Sequence, residues 1–197
     1  MLAQFRPAIV IIVLFTLLTG LVFPVAFTGA AGLVAPGPAG GSMVLVGGKP
    51  VGSALIGQAW TADKYFHGRP SALSGTDPND ATKQVATPYD ASESGASNLA
   101  PTSKALIDRV AADIKAAGTP TVPGDAVTTS GSGLDPHISP ETAAAQVARV
   151  AKARGLPEDR VRALVADHTA GRVLGLFGQP RVNVLELNMA LDAIGHG

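Results

Sequence analysis

PAIVIIVLFTLLTGLVFPVAF, residues 7–27, decides the architecture of this chain before the rest is read. No Asp, Glu, Lys or Arg falls within it, and none occurs between Arg6 and Lys49. At ~1.5 Å of rise per residue, about 20 such residues cross the ~30 Å hydrocarbon core of a bilayer. The apolar residues lie on every side of the helix rather than on one stripe, as a lipid-facing element requires. The stretch reads as a transmembrane helix.

A cleaved secretory signal would share the basic start at Arg6 and the small residues Gly29, Ala30 and Ala31 that follow. Its apolar region is usually only ~7–15 residues, shorter than this one. A buried core helix of this length with no polar face is ill suited to a 197-residue chain, more so than the cleaved signal. The lone flanking charge, Arg6, sits on the short side, which predicts a cytoplasmic N-terminus over residues 1–6. Everything beyond Phe27 is then expected outside the cytoplasmic (inner) membrane, with lipid as the first partner.

Composition narrows the remainder. Lys plus Arg and Asp plus Glu are both 15, so no net field favours nucleic acid. With no Cys, thiolate chemistry, disulfides and Cys-based zinc sites are excluded. Residues 28–42, TGAAGLVAPGPAGGS, read as a linker rich in Gly, Ala and Pro. Residues 43–197 are long enough for one domain with a single core. Mixed helix and short-strand signals make that domain α+β, with no covalent cofactor implied.

Met43–Val46 and Val51–Ile56 flank Gly47-Gly48-Lys49-Pro50, a hairpin signal. Trp60 to Ser71 gathers three aromatic residues with His67 and Arg69, either a buried anchor or a docking surface. Residues 73–100 are dominated by Ser, Gly, Asn, Asp, Thr and Pro and read as a long loop, Ser97 and Asn98 within it. Pro101 to Ala117 reads as a helix stopped by Gly118, with Leu106, Ile107, Val110 and Ile114 as a core stripe. The β-branched end of residues 120–129 predicts a brief strand.

Ser139-Pro140-Glu141 carries a hydroxyl N-cap, Pro in the first turn and an acid on the positive dipole end, and Gly155 closes that helix. Just before it, Asp135 and His137 are placed to bind backbone groups or a partner. No nucleophile accompanies them at a recognisable spacing, so they do not read as catalytic. A further helix spans Leu156 to about Thr169, and Val173 to Phe177 is a short apolar segment. Asn183 with Glu186 caps a last helix apolar enough to be sandwiched inside the domain. In the span itself, Thr16, Gly20 and Pro24 lie four apart and offer one face for close packing against another helix. His67, His137, His168 and His196 are too scattered for a metal site.

Several segments then carry a resemblance: LIGQ (55–58), YFHGRPSA (65–72), YDAS and SGASNL (89–99, with Glu93 interposed), VTTSGSGLDPHISP (127–140), RVAKARGL (149–156) and GQPRVNVLELNMALD (178–192). In this order after one N-terminal span, the chain resembles the C chain of the bacterial potassium-importing Kdp ATPase. Ala96 stands where that family often has a second Gly, which weakens any phosphate-cradling role for the loop. The resemblance implies a non-catalytic subunit of a high-affinity potassium pump. Its partners would be a potassium-channel-like subunit, a P-type ATPase subunit and a small single-span subunit. It also implies a catalytic chaperone that raises the pump's ATP affinity, with Gln146 contacting the nucleotide. Consistent with a helper role, the chain holds no DKTGT, TVGYG, HExxH or GxSxG motif. His67, Arg69, Ser97, Asn98, Asp135 and His137 are the expected partner-docking residues. The competing class is a membrane-anchored or secreted extracytoplasmic binding protein, unrelated to a pump.

Overall fold

The computed structural model describes residues 2–118 and 121–194. Its chain divides into two compact units, Met1–Met43 and Val44–Gly197.

In the first unit a 3-10 turn at Leu2–Gln4 leads into α1 (Phe5–Leu17), a π-helical turn (Leu18–Val22) and α2 (Phe23–Val34). Together Phe5–Val34 form one helix long and apolar enough to cross a membrane, and no residue of it is buried. Pro24 accounts for the wide turn: it has no N–H to donate, and its ring would press on the preceding turn of a regular α-helix. Phe23 N–H reaches back to the Leu18 carbonyl instead, the i→i−5 bond of a π turn. Thr19 Oγ1 meanwhile donates to the Phe15 carbonyl at 2.7 Å.

Helical structure does not stop at Phe27. It continues through Thr28–Val34, where a linker was expected, because Ala and Leu there favour helix and the two Gly cost only ~1 kcal/mol each. The helix ends at Ala35 (φ −142, ψ 66), which precedes Pro36 and is pushed out of the helical region. A single turn, α3 (Pro36–Ala39), follows.

β1 (Met43–Val46) and β2 (Lys49–Ser53) make a hairpin where one was expected, but the second arm takes in Lys49 and Pro50 and ends at Ser53 instead of spanning Val51–Ile56; Gly47 and Gly48, both at positive φ (57 and 78), turn it as a type I′ turn demands. Residues 73–100 correct the expectation of a long loop. β3 (Ser74–Asp77) and β4 (Asp80–Ala86) pair antiparallel, Gly75 opposite Val85 and Thr76 opposite Gln84. Most of their residues face water or are only half-buried, so no apolar alternation announces them. Their tip is set by Asp77 Oδ1, which accepts from Asn79 N–H at 2.8 Å.

The next helix, α4, spans Lys104–Ala117 and ends at Gly118 in the left-handed conformation (φ 66). None of its residues is buried, so its apolar stripe is not core as expected. The strand expected in 120–129 is instead the single helical turn α5 (Gly124–Val127). Its Asp125 is engaged by the start of the next helix, and that contact overrides the local β-propensity.

The core lies in the C-terminal half. α6 (Pro140–Arg154), α7 (Glu158–Asp167) and α8 (Val184–Ile194) enclose Val147, Val150, Val161, Leu187 and Leu191. A small antiparallel sheet, ordered β5 (His137–Ile138), β7 (Arg181–Asn183), β6 (Thr169–Ala170), adds Ile138 and Val182. Ser139 Oγ caps α6 by accepting from Thr142 N–H at 3.0 Å, and Gly155 ends it in a Schellman turn, Leu156 N–H bonding Ala151 O at 3.0 Å. Asn183 Oδ1 caps α8 through Glu186 N–H at 3.2 Å. Five of that helix's side chains are buried, as the sandwiched reading requires: Val184, Leu185, Leu187, Asn188 and Leu191.

Candidate functional site

Residues 65–71 form the spine of the site, an extended strip held at the core by side chains rather than by a sheet. Phe66 is completely buried in the helical core. Its N–H donates to Asn188 Oδ1 at 2.8 Å, and its carbonyl accepts from Asn188 Nδ2 at 3.0 Å. One residue on, His67 N–H donates to Gln146 Oε1 at 2.8 Å and its carbonyl accepts from Gln146 Nε2 at 3.1 Å. Two primary amides, one from α8 and one from α6, thus replace the neighbouring strand that this backbone lacks. Each satisfies groups that would be costly to bury unpaired.

Gly68 lies against the Tyr89 hydroxyl with no room for a Cβ. That hydroxyl donates to the Arg69 carbonyl at 2.7 Å. Burial, reinforced by Asp135 and opposed by Arg69, pushes the Tyr89 phenol up to about 12. Tyr89 itself sits at φ 63, unusual for a bulky residue. The strip is therefore pinned from both faces.

Arg69 turns its guanidinium onto the loop before α6. Nη1 meets Asp135 Oδ2 at 3.1 Å, and Nη2 reaches the Thr128 and Thr129 carbonyls at 3.4 Å. Asp135 Oδ1 accepts from His137 N–H at 3.0 Å and lies 3.5 Å from His137 Nδ1. Burial opposes ionisation of Asp135, but the His137 and Arg69 contacts outweigh it and hold the carboxyl below its ordinary value. These residues, with Asp125, Ser139 and Arg181, line a cleft of about 480 Å³.

Asp125 closes the floor of that cleft. It accepts from Ser139 N–H at 2.7 Å, Ser139 Oγ at 2.8 Å and Thr142 Oγ1 at 2.7 Å. Here too burial works against the charge and the Ser139 and Thr142 donors win, so the carboxyl is held low. A carboxylate at the N-terminus of α6 also complements the helix dipole.

A second cavity, of about 420 Å³, is lined by His67, Val122, Ala126, Thr142, Gln146 and Arg149 among others. Gln146 is not idle there. Besides His67, its Oε1 accepts from Arg149 Nη2 at 2.6 Å, so both ends of the amide are engaged. Burial lowers the basicity of the His67 ring, with Arg149 adding to the effect and the Ala62 carbonyl and Asp63 opposing it. Arg149 is likewise lowered by burial against the pull of Asp63.

The structure thus brings Arg69, Asp135 and His137 to one cleft and His67 with Gln146 to another. Ser97 and Asn98 line neither; they lie in the irregular segment before α4, Asn98 at φ 51. Asp125, Tyr89 and Asn188 are the residues sequence reading missed. Tyr89 and Asn188 stand within segments that carry the resemblance, whereas Asp125 left no trace. Asp125 and Asp135 accept from a guanidinium, hydroxyls and backbone N–H groups of the chain itself, so the cleft is a preformed polar surface. Among the described residues, no group of three or more His, Asp or Glu is placed to hold a metal ion.

The family described as K+-transporting ATPase, c chain, matches residues 5–193, which takes in the apolar helix and the whole polar site. The chain belongs to the KdpC family. It is 58% identical over 197 residues to the potassium-transporting ATPase KdpC subunit of Rhodopseudomonas palustris (strain BisB18), covering 98% of this chain and 99% of the relative. KdpC subunits of Bradyrhizobium diazoefficiens and Methylobacterium nodulans are also each 58% identical, over 98% of both chains. The resemblance carried by segments 55–58, 65–72, 127–140 and 178–192 is therefore borne out at the level of the family. Those segments contain the strip 65–71, Asn188 that clamps it, the Arg69–Asp135 pair and the cap of α8.

Proposed function

We propose that this chain is the accessory, non-catalytic subunit of an ATP-driven potassium importer, anchored in the cytoplasmic membrane through Phe5–Val34. The observation that carries the reading is the likeness to KdpC subunits across nearly the whole chain. Residues 1–6 lie in the cytoplasm and the domain lies outside, following the single basic flank at Arg6. Its partners are the potassium-channel-like subunit, the P-type ATPase subunit and the small single-span subunit of the complex.

Docking uses the strip 65–71 and the loop that carries Asp135 and His137. Both are fixed before any partner arrives, which lowers the ordering cost of association. Thr16, Gly20 and Pro24 supply the packing face within the membrane. An effect on ATP affinity is indirect: the subunit contacts two conformations of the pump differently and so shifts their balance. Gln146 contributes by holding His67 in place rather than by meeting the nucleotide, since both ends of its amide are already engaged.

The test is purification of the tagged full chain in mild detergent from its own cells. Recovery of the ATPase and channel-like subunits in fixed proportion, with loss of potassium uptake when the chain is deleted, is the expected result. A chain that purifies alone and whose deletion leaves uptake unchanged sinks the proposal and favours a free binding protein.

A further inference from the structure

A short hairpin projects between β6 and β7. Val173 and Phe177 pair antiparallel there, Val173 N–H to Phe177 O at 2.9 Å and Phe177 N–H to Val173 O at 3.0 Å. Leu174 and Leu176 stand 84% and 74% exposed at its tip, with Val173 and Phe177 more than half exposed below them. Monomeric surfaces seldom leave large apolar side chains clustered in water without a partner that covers them.

Three features say what that partner is. The tip satisfies much of its own backbone: besides the Val173–Phe177 pair, Gly175 N–H bonds Arg172 O and Leu176 N–H bonds Val173 O, both at 3.1 Å. Internal pairing of this kind is what a segment leaving water for a lipid boundary needs. Its two feet carry Arg172 and Arg181, Arg172 held to Gln179 Oε1 at 2.6 Å, and no Asp or Glu occurs from His168 to Leu185. Apolar tip and cationic base match acyl chains below anionic headgroups. Finally, the same chain carries a helix long and apolar enough to cross a bilayer.

We propose that the hairpin tip Val173–Phe177 is a membrane-dipping finger that places Leu174, Leu176 and Phe177 in the headgroup–acyl boundary of an anionic lipid surface, with Arg172 and Arg181 at the phosphates. This rests on the reading of Phe5–Val34 as a membrane anchor. The finger gives the domain a second attachment to lipid. Left-handed backbone at Leu174 (φ 53) and Gly175 (φ 74) shapes the tip.

The absence of native Cys allows a direct test. Leu176→Cys in the full chain, labelled with an environment-sensitive fluorophore, is reconstituted in vesicles of phosphatidylcholine and phosphatidylglycerol. Asn79→Cys, at the exposed β3–β4 tip, serves as the reference. The expected result is a blue shift and quenching by spin-labelled lipid at residue 176 but not at 79, both reduced by Arg172→Glu with Arg181→Glu. A probe at 176 that stays in water in these vesicles overturns the proposal. So does one shielded only within the assembled pump and without lipid quenching, which makes a partner subunit the occupant. A chain that alkaline carbonate strips from the vesicles overturns the anchor reading as well, so the two failures are told apart.

Discussion

Gln146 grips the backbone of His67 through both ends of its amide, N–H to Oε1 at 2.8 Å and Nε2 to carbonyl at 3.1 Å. Asn188 does the same for Phe66, in full burial. Replacing either amide by a methyl group strands two backbone groups, at about 1–3 kcal/mol for each group that finds no water. Asn188→Ala is expected to lower the denaturation midpoint more than Gln146→Ala, because water reaches the half-buried Gln146 site. If Gln146→Ala lowers the pump's ATP affinity, the loss is expected to accompany this loss of stability. A drop in ATP affinity with an unchanged melting curve points instead to direct nucleotide contact.

The acid limb of stability should be set in part by Asp125 and Asp135. Both carboxyls are held below the ordinary value of 3.8 in the folded chain. Between the folded and ordinary values the unfolded chain binds more protons, so stability rises with pH there. Their contribution is complete above the ordinary value and is lost as pH falls through the folded values. Melting temperature measured from neutral pH down to about pH 2 is expected to fall less steeply at the acid end in Asp125→Asn than in the parent. Identical slopes would show that Asp125 plays no part in the linkage.

Topology can be read with one engineered thiol. Ala105 is exposed on α4, and the chain has no Cys of its own. In cells with a permeabilised outer barrier and an intact inner membrane, Ala105→Cys is expected to react with an impermeant maleimide. Labelling only after that membrane is broken would put the domain in the cytoplasm and reverse the orientation assigned from Arg6.

Gly20 separates helix packing from helix insertion. A Cβ there meets nothing within 4 Å in the chain itself, so Gly20→Leu leaves the anchor intact. Its cost falls on a neighbouring helix that approaches closely. Expected are normal insertion and reduced recovery of the other pump subunits. Full recovery would remove Thr16, Gly20 and Pro24 from the interface.

What the sequence disclosed is what local chemistry encodes. Ser139-Pro140 and Gly155 bounded α6, Asn183 and Glu186 opened α8, and Gly47-Gly48 turned the first hairpin, because each acts through its own backbone neighbours. The apolar helix was also legible, but not its end at Val34, since Ala and Gly give no sharp stop before Pro36. β3 and β4 escaped notice because their polar side chains show no buried face. α5 was hidden for another reason: its Asp125 is fixed by Ser139 and Thr142, which lie beyond the range of any local pattern. Of the six docking candidates, Arg69, Asp135 and His137 share one cleft and His67 lines another cavity, while Ser97 and Asn98 reach neither, because loop composition carries no information about which cleft a residue reaches.

The clamp of Asn188 on Phe66 joins residues separated by 122 positions. Non-local pairing of this kind is slow to form, since its entropy cost is met before any contact rewards it. Phe66 is made early on the ribosome, yet its backbone has no proper partner until α8, nearly the last element, has been synthesised. A chain that stops short of Asn188 therefore leaves the Phe66 N–H and carbonyl without the amide that pairs them, so this clamp depends on the C-terminal helix being present.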